Sequence, residues 1–164
     1  MNIIRGSDSL LNTRKITRKD YSSVVSMLED GRKEGFFAPG KELSADSLDK
    51  YLKSGCYEHY QMDVIEYNGI LSGFIDYYIY GGVGNILGIY ILPERRHEHL
   101  GSHLIHMCII KFEQFGCHKA KATVYSYNNV ALSFLEANGF KQLAMIENDE
   151  FHKGVVYMYK DLAP

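Results

Sequence analysis

Residues 84–102 read GNILGIYILPERRHEHLGS, and the reading of this stretch decides the fold. Its first part is nearly all apolar, as expected of a central strand covered on both faces. Pro93 ends the strand and a short basic loop follows. A helix is expected to begin at or near Leu100, because Leu100, Leu104, Cys108 and Phe112 recur on one helical face. The first turn of such a helix has unpaired N–H groups and the positive end of the helix dipole. Gly101 would let an anion approach the backbone closely, and Arg95 and Arg96 add positive charge there. These are the parts of a phosphate or pyrophosphate site. A plain strand-to-helix turn with solvated arginines has the same pattern. The loop is neither a GxxxxGK[ST] phosphate loop nor a GxGxxG dinucleotide fingerprint.

Upstream, LNTRKIT (11–17) reads as a strand, and TRKDYSSVVSMLEDG (17–31) as a helix with Thr17 as cap, Asp20 as its acidic partner and Gly31 as the stop. A loop through GFFAPGKEL leads to a second helix, capped by Ser44 and ended by Gly55. Residues 61–82 read as a hairpin turning at Asn68-Gly69. Downstream of the decisive stretch, Gly116 stops its helix and KAKATVYSY alternates as a strand. NNVALSFLEANGF reads as a short Asn-capped helix, and KQLAMIE and GVVYMYKDL as a closing antiparallel pair. The order is β-α-α-β-β-β-α-β-α-β-β, an α/β (α+β) pattern in which residues 84–138 form a parallel-capable unit.

The 164 residues fit one domain, 1–164, with the polar residues 1–9 loose or peripheral. A net charge of -2 gives no field for nucleic acid or an anionic membrane. No apolar run approaches the roughly 20 residues a membrane span needs. The opening MNIIRGSDSLLNTRK has no long apolar core, so no signal peptide is expected. Three cysteines, Cys56, Cys108 and Cys117, without a CxxC pair, fit a reducing, cytoplasmic location. The chain has 13 Tyr, 7 His and no Trp, which points either to a tyrosine-lined cleft or to half-buried strand positions.

ILGIYILPERRHEHLGSHLI resembles the acyl-CoA signature of the GCN5-related N-acetyltransferase (GNAT) family. In that signature a strand ends at a proline, and an Arg/Gln-x-x-Gly-x-Gly/Ala loop opens a helix. The corresponding loop here is Arg96-His97-Glu98-His99-Leu100-Gly101. VYSYNNVALSFLEANGF resembles the family's second cofactor segment through Asn128, Ala131, Gly139 and Phe140. The resemblance runs from about residue 11 to residue 162. It implies the GNAT fold, a mixed, largely antiparallel twisted sheet of about six to seven strands with helices on both faces. It implies acetyl-CoA as cosubstrate and no metal. The pantetheine arm would lie beside Ile89 and Ile91, the pyrophosphate on Arg96, His97, Glu98, His99, Leu100, Gly101 and Ser102, and Asn128 would contact the arm. The implied activity is acetyl transfer to a primary amine by direct attack in a ternary complex. The acceptor is a small molecule or a peptide or protein amine, and a homodimer stays open. The cleft for it is expected at the first two helices, the GFFAPG loop and Tyr77, Tyr78 and Tyr80.

Three departures from the family pattern matter. His99 stands where the motif usually has Gly, at a position that favours positive φ. Leu135 occupies the position of the usual tyrosine acid, leaving Tyr125 and Tyr127 as the nearest substitutes. The signature strand has no carboxylate base, and Asp76 on the neighbouring strand is the nearest acid. These departures keep a second reading open, a GNAT-fold acyl-CoA-binding or regulatory protein with little turnover. His99, His103 and His106 share a helical face, but the HExxH zinc signature is absent, and a polar stripe is the reading adopted.

Overall fold

The computed structural model describes residues 10–55 and 57–163, so the expectation for residues 1–9 and the thiol of Cys56 lie outside the described residues. Among these residues seven strands form one sheet: β1 (Leu11–Lys15), β2 (Gln61–Tyr67), β3 (Ile70–Tyr80), β4 (Val83–Ile91), β5 (Lys119–Tyr125), β6 (Lys141–Ile146) and β7 (Val155–Asp161). Among the described residues four α-helices accompany it: α1 (Tyr21–Lys33), α2 (Ala45–Lys53), α3 (Leu100–Gln114) and α4 (Asn129–Ala137). The spatial order is β1-β2-β3-β4-β5-β7-β6, and every pair is antiparallel except β4 with β5. The element order is the one read from the sequence.

Two irregularities position the site. Asp76 pairs with Gly88 and Tyr77 with Ile86, so Leu87 is an unpaired bulge residue in β4. The parallel pairing of β4 with β5 covers only Val83–Ile86 against Lys119–Ala122. Beyond it the two strands separate. β4 continues on β3 and β5 continues on β7, so the sheet forks between Leu87 and Thr123.

Helices cover both faces. One core holds Ile65, Ile75, Tyr77, Leu104, Cys108 and Phe112, with Leu135 and Phe140 of the α4 region. The other packs Val24, Met27 and Leu48 of α1 and α2 on Met62, Val64, Phe74 and Tyr90. The side chains of β3 alternate between them, which corrects one expectation. Tyr77 lies in the α3-side core, with its hydroxyl donating to Asp63 at 3.0 Å, and is not on the face of α1 and α2. Tyr80 ends β3 in solvent, 68% exposed.

Gly31 also differs from its expected role. It is buried inside α1, where a methyl group would clash with the Phe37 ring. The residue that turns the chain is Gly35, at φ +79°. Asp20 does reach back to cap, its Oδ2 accepting from the Thr17 amide at 2.8 Å and hydroxyl at 2.9 Å. Arg14 donates to the same carboxylate at 2.7 and 2.9 Å. Asn68 and Gly69 take φ of +52° and +76°, as a tight primed hairpin turn requires.

Candidate active site

The fork opens a cavity of about 500 Å³. That is within the roughly 300–1,000 Å³ range of small-molecule sites. One wall is the diverging end of β4, including Ile89 and Ile91, and the other is β5 with Asn128, Ala131 and Phe134. Beyond Ile86 the β4 edge facing β5 has no strand partner. It can be read by an extended ligand through main-chain hydrogen bonds.

Helix α3 begins at the mouth of the fork. Its amides at Leu100, Gly101 and Ser102 have no intrahelical acceptors. His103 is the first to bond back, to the His99 carbonyl at 3.0 Å. The preceding loop achieves this through left-handed backbone at His97 (φ +66°) and His99 (φ +60°). The position where the motif usually has Gly therefore does need positive φ, and a histidine takes it. Arg96, His97, His99, Leu100, Gly101, Ser102 and Asn128 all line the cavity, with Ile89 and Ile91, whereas Glu98 does not. Glu98 instead lies 3.8 Å from Arg95. A methyl group at Gly101 would meet the Phe134 ring at 3.1 Å, so Gly101 also serves helix packing.

Asn128 is buried and caps α4, its Oδ1 accepting from the Ala131 amide at 3.1 Å. The capping bond uses the oxygen and orients the amide nitrogen as the remaining donor. Arg96 lies at the cavity wall but is engaged within the protein. It donates to both oxygens of Glu34, at 2.7 and 2.9 Å, and through Nε to the Ile91 carbonyl at 3.0 Å. The Tyr90 hydroxyl donates to Glu34 at 2.5 Å, and Arg96 lies over the Phe36 and Tyr90 rings. This pairing holds the Glu34 carboxyl below its ordinary range.

Asp76 is itself not among the cavity-lining residues; it pairs across the bulge with Gly88, which is. A methyl group at Gly88 would stand 2.8 Å from Asp76 Oδ1 and 3.2 Å from the Phe37 ring. Burial pushes the Asp76 carboxyl up to about 7, against opposing hydrogen bonds from Tyr60 and from the backbone at Asp76 and Gly88. The Tyr60 hydroxyl donates to Oδ2 at 3.0 Å. No local pattern in the sequence marks Tyr60, since its partner is 16 residues away.

Tyr125 and Tyr127 are not among the cavity-lining residues. Their rings stack at 5.5 Å, Lys153 lies over both, and the Tyr127 hydroxyl donates to the Gly35 carbonyl at 2.9 Å. The lining at that end is Leu135. Among the described residues no group of three His, Cys, Asp or Glu side chains could hold a metal ion. None of the described helices is long and apolar enough to cross a membrane.

A mixed sheet forked between parallel strands, with a helix N-terminus at the mouth, defines an acyltransferase class of fold. The chain belongs to the acetyltransferase (GNAT) family, which it matches over residues 25–140. Solved structures agree in fold. The ribosomal-protein-alanine N-acetyltransferase from Brucella melitensis superposes with a TM-score of 0.81 at 15% identity, covering 92% of this chain and 99% of that one. An acetyltransferase of the GNAT family from Streptococcus pneumoniae gives 0.78 at 19% identity, covering 93% and 99%. The PaiA N-acetyltransferase from Thermoplasma acidophilum, in complex with coenzyme A, gives 0.74 at 20% identity, covering 93% and 99%. No curated protein sequence matches the chain.

Proposed function

We propose that the chain transfers an acetyl group from acetyl-CoA to a primary amine by direct attack in a ternary complex. The fork carries this reading. It presents unpaired main chain along β4 for the pantetheine arm, and free amides at Leu100, Gly101 and Ser102 for the pyrophosphate. The coenzyme A complex of the Thermoplasma acidophilum neighbour supports the same cosubstrate. The acceptor would approach from the α1 and α2 side, past Phe36, Phe37 and Tyr78. Asp76 is the candidate proton acceptor there.

An amine with an ordinary pKa of ~10 arrives as an ammonium. Asp76 takes one N–H proton, and the freed nitrogen lone pair attacks the thioester carbonyl. The C–N bond forms, the C–S bond breaks, and the thiolate leaves. The nitrogen's second proton goes to that thiolate, directly or through water. No tyrosine hydroxyl is needed for the balance, which suits a cavity whose one lining tyrosine, Tyr90, donates to Glu34. Positioning two reactants in this way supplies much of the rate.

A second reading is favoured by one observation. Leu135 lines the cavity where relatives often have an acid, which suits a protein that holds acyl-CoA with little turnover. Release of free CoA thiol from acetyl-CoA across a panel of primary amines separates the two. Amine-dependent release supports the enzyme. Acetyl-CoA binding without release from any amine supports the sensor.

A further inference from the structure

We propose that Tyr60 is a positioning residue for Asp76, holding one carboxylate oxygen so that the other is turned to the fork. The proposal rests on the reading of Asp76 as proton acceptor and adds how that group is aimed. The two oxygens of Asp76 have different surroundings. Oδ2 accepts from the Tyr60 hydroxyl at 3.0 Å. Oδ1 is beside the Gly88 backbone at the bulge, next to the Phe37 ring that lines the cavity. With the Tyr60 hydroxyl on Oδ2 and the backbone at Asp76 and Gly88 also donating, the carboxylate keeps a single rotamer, and the second lone pair of Oδ1 is left for an N–H in the fork.

Tyr60 is itself held firmly. Its ring packs edge-on to Tyr51 at 5.2 Å and lies 6.4 Å from Tyr57, which stacks on Tyr78 at 4.4 Å. Tyr51 also hydrogen-bonds to Tyr60. Four tyrosines from α2, the segment before β2, and β3 thus fix one hydroxyl on one carboxylate oxygen. The tyrosine-rich composition acquires a specific role at this point.

The groups facing Asp76 are few. Tyr60 contacts it from the segment ahead of β2, with Tyr51 of α2 and Tyr57 behind. From β4 it meets the Gly88 amide, and from the α1–α2 segment the apolar Phe37. Across the sheet stands the buried Cys108 of α3, near the ion pair of Lys111 with Asp63. Tyr60 is therefore the one side chain donating to the carboxylate among the described residues. Its hydroxyl favours the ionised form, so its removal should raise the Asp76 titration point.

The test is Tyr60→Phe, read in two ways. The Asp76 carboxyl is titrated by carbon NMR in the free protein, with Asp76→Asn identifying its signal. The pH profile of kcat/KM is then measured with acetyl-CoA and the best amine of the panel. The expected result is a shift of the Asp76 titration and of the acid limb to higher pH by roughly one unit, the effect of one hydrogen bond to a charged group. KM for acetyl-CoA should stay the same. An unmoved NMR titration overturns the positioning role, whatever the activity. A moved titration with an acid limb that Asp76→Asn leaves intact overturns Asp76 as proton acceptor instead. A fold lost in Tyr60→Phe would show in the NMR spectrum. Tyr60→Leu then replaces it, likewise without a donor at Oδ2; the same shift of the Asp76 titration to higher pH is expected, and an unmoved titration again overturns the positioning role.

Discussion

Glu34 grips Arg96 through both guanidinium ends, at 2.7 and 2.9 Å, and so joins the end of α1 to the loop that opens α3. The motif arginine acts here as a brace for the fork. A bidentate pair is among the stronger ionic contacts, but both side chains remain about 30% exposed, which limits its value. Glu34→Gln should cost no more than about 1 kcal/mol in denaturant unfolding. It should weaken acetyl-CoA binding several-fold in calorimetry by loosening the loop. Unchanged binding would show that the brace does not set the loop.

The Asp20 carboxyl is held down to about 2, first by the Arg14 guanidinium and then by Thr17. Its folded value lies below the ordinary 3.8, so it contributes stability above about pH 4 that is lost as pH falls toward 2. Asp20→Asn should destabilise the protein by roughly 2 kcal/mol at pH 7, with the difference from the parent closing in acid. Paired urea melts at pH 7 and pH 3 check this. An undiminished difference at pH 3 would contradict it.

His99 occupies left-handed backbone at φ +60°, where a Cβ is strained. His99→Gly should raise stability by about 1 kcal/mol, or the melting point by roughly 2–4 °C. The amides of α3 stay in place, so acetyl-CoA affinity should change little. A large gain in affinity would mean that the imidazole obstructs the anion.

Gly31→Ala inverts the usual rule. Alanine within a helix is normally better than glycine by about 1 kcal/mol. Here the methyl group would clash with a Phe37 ring that also packs on Phe74 and Tyr90. Overpacking of this kind costs about 1–3 kcal/mol, so net destabilisation is expected by thermal melting. A stabilised variant would show that Phe37 moves freely.

Tyr127→Phe separates structure from chemistry. A general acid removed would lower kcat by about 10²–10⁴. With its hydroxyl on the Gly35 carbonyl, Tyr127 should instead cost about 1 kcal/mol of stability and less than about tenfold in kcat. Steady-state kinetics on the amine panel decides.

The element order and the strand-to-helix joint were legible because both follow local rules, apolar runs, caps and turn glycines. The Asn68-Gly69 turn and the Gly116 stop, at φ +74°, are of that kind. Gly31 matches the local rule for a helix stop, yet it sits inside α1 because the Phe37 ring fills its face. Tyr77 faces α3 and not α1 and α2, because alternation along β3 fixes which residues share a face but not which layer that face meets. The partners of Arg96 and Asp76 come from 62 and 16 residues away, and no local pattern announces them.

Thermal unfolding with and without millimolar acetyl-CoA tests the central claim most directly. A ligand at about 100 times its Kd adds about 2.7 kcal/mol to stability. The account predicts a rise in melting point of several degrees that grows with acetyl-CoA concentration. No shift at millimolar acetyl-CoA would contradict it.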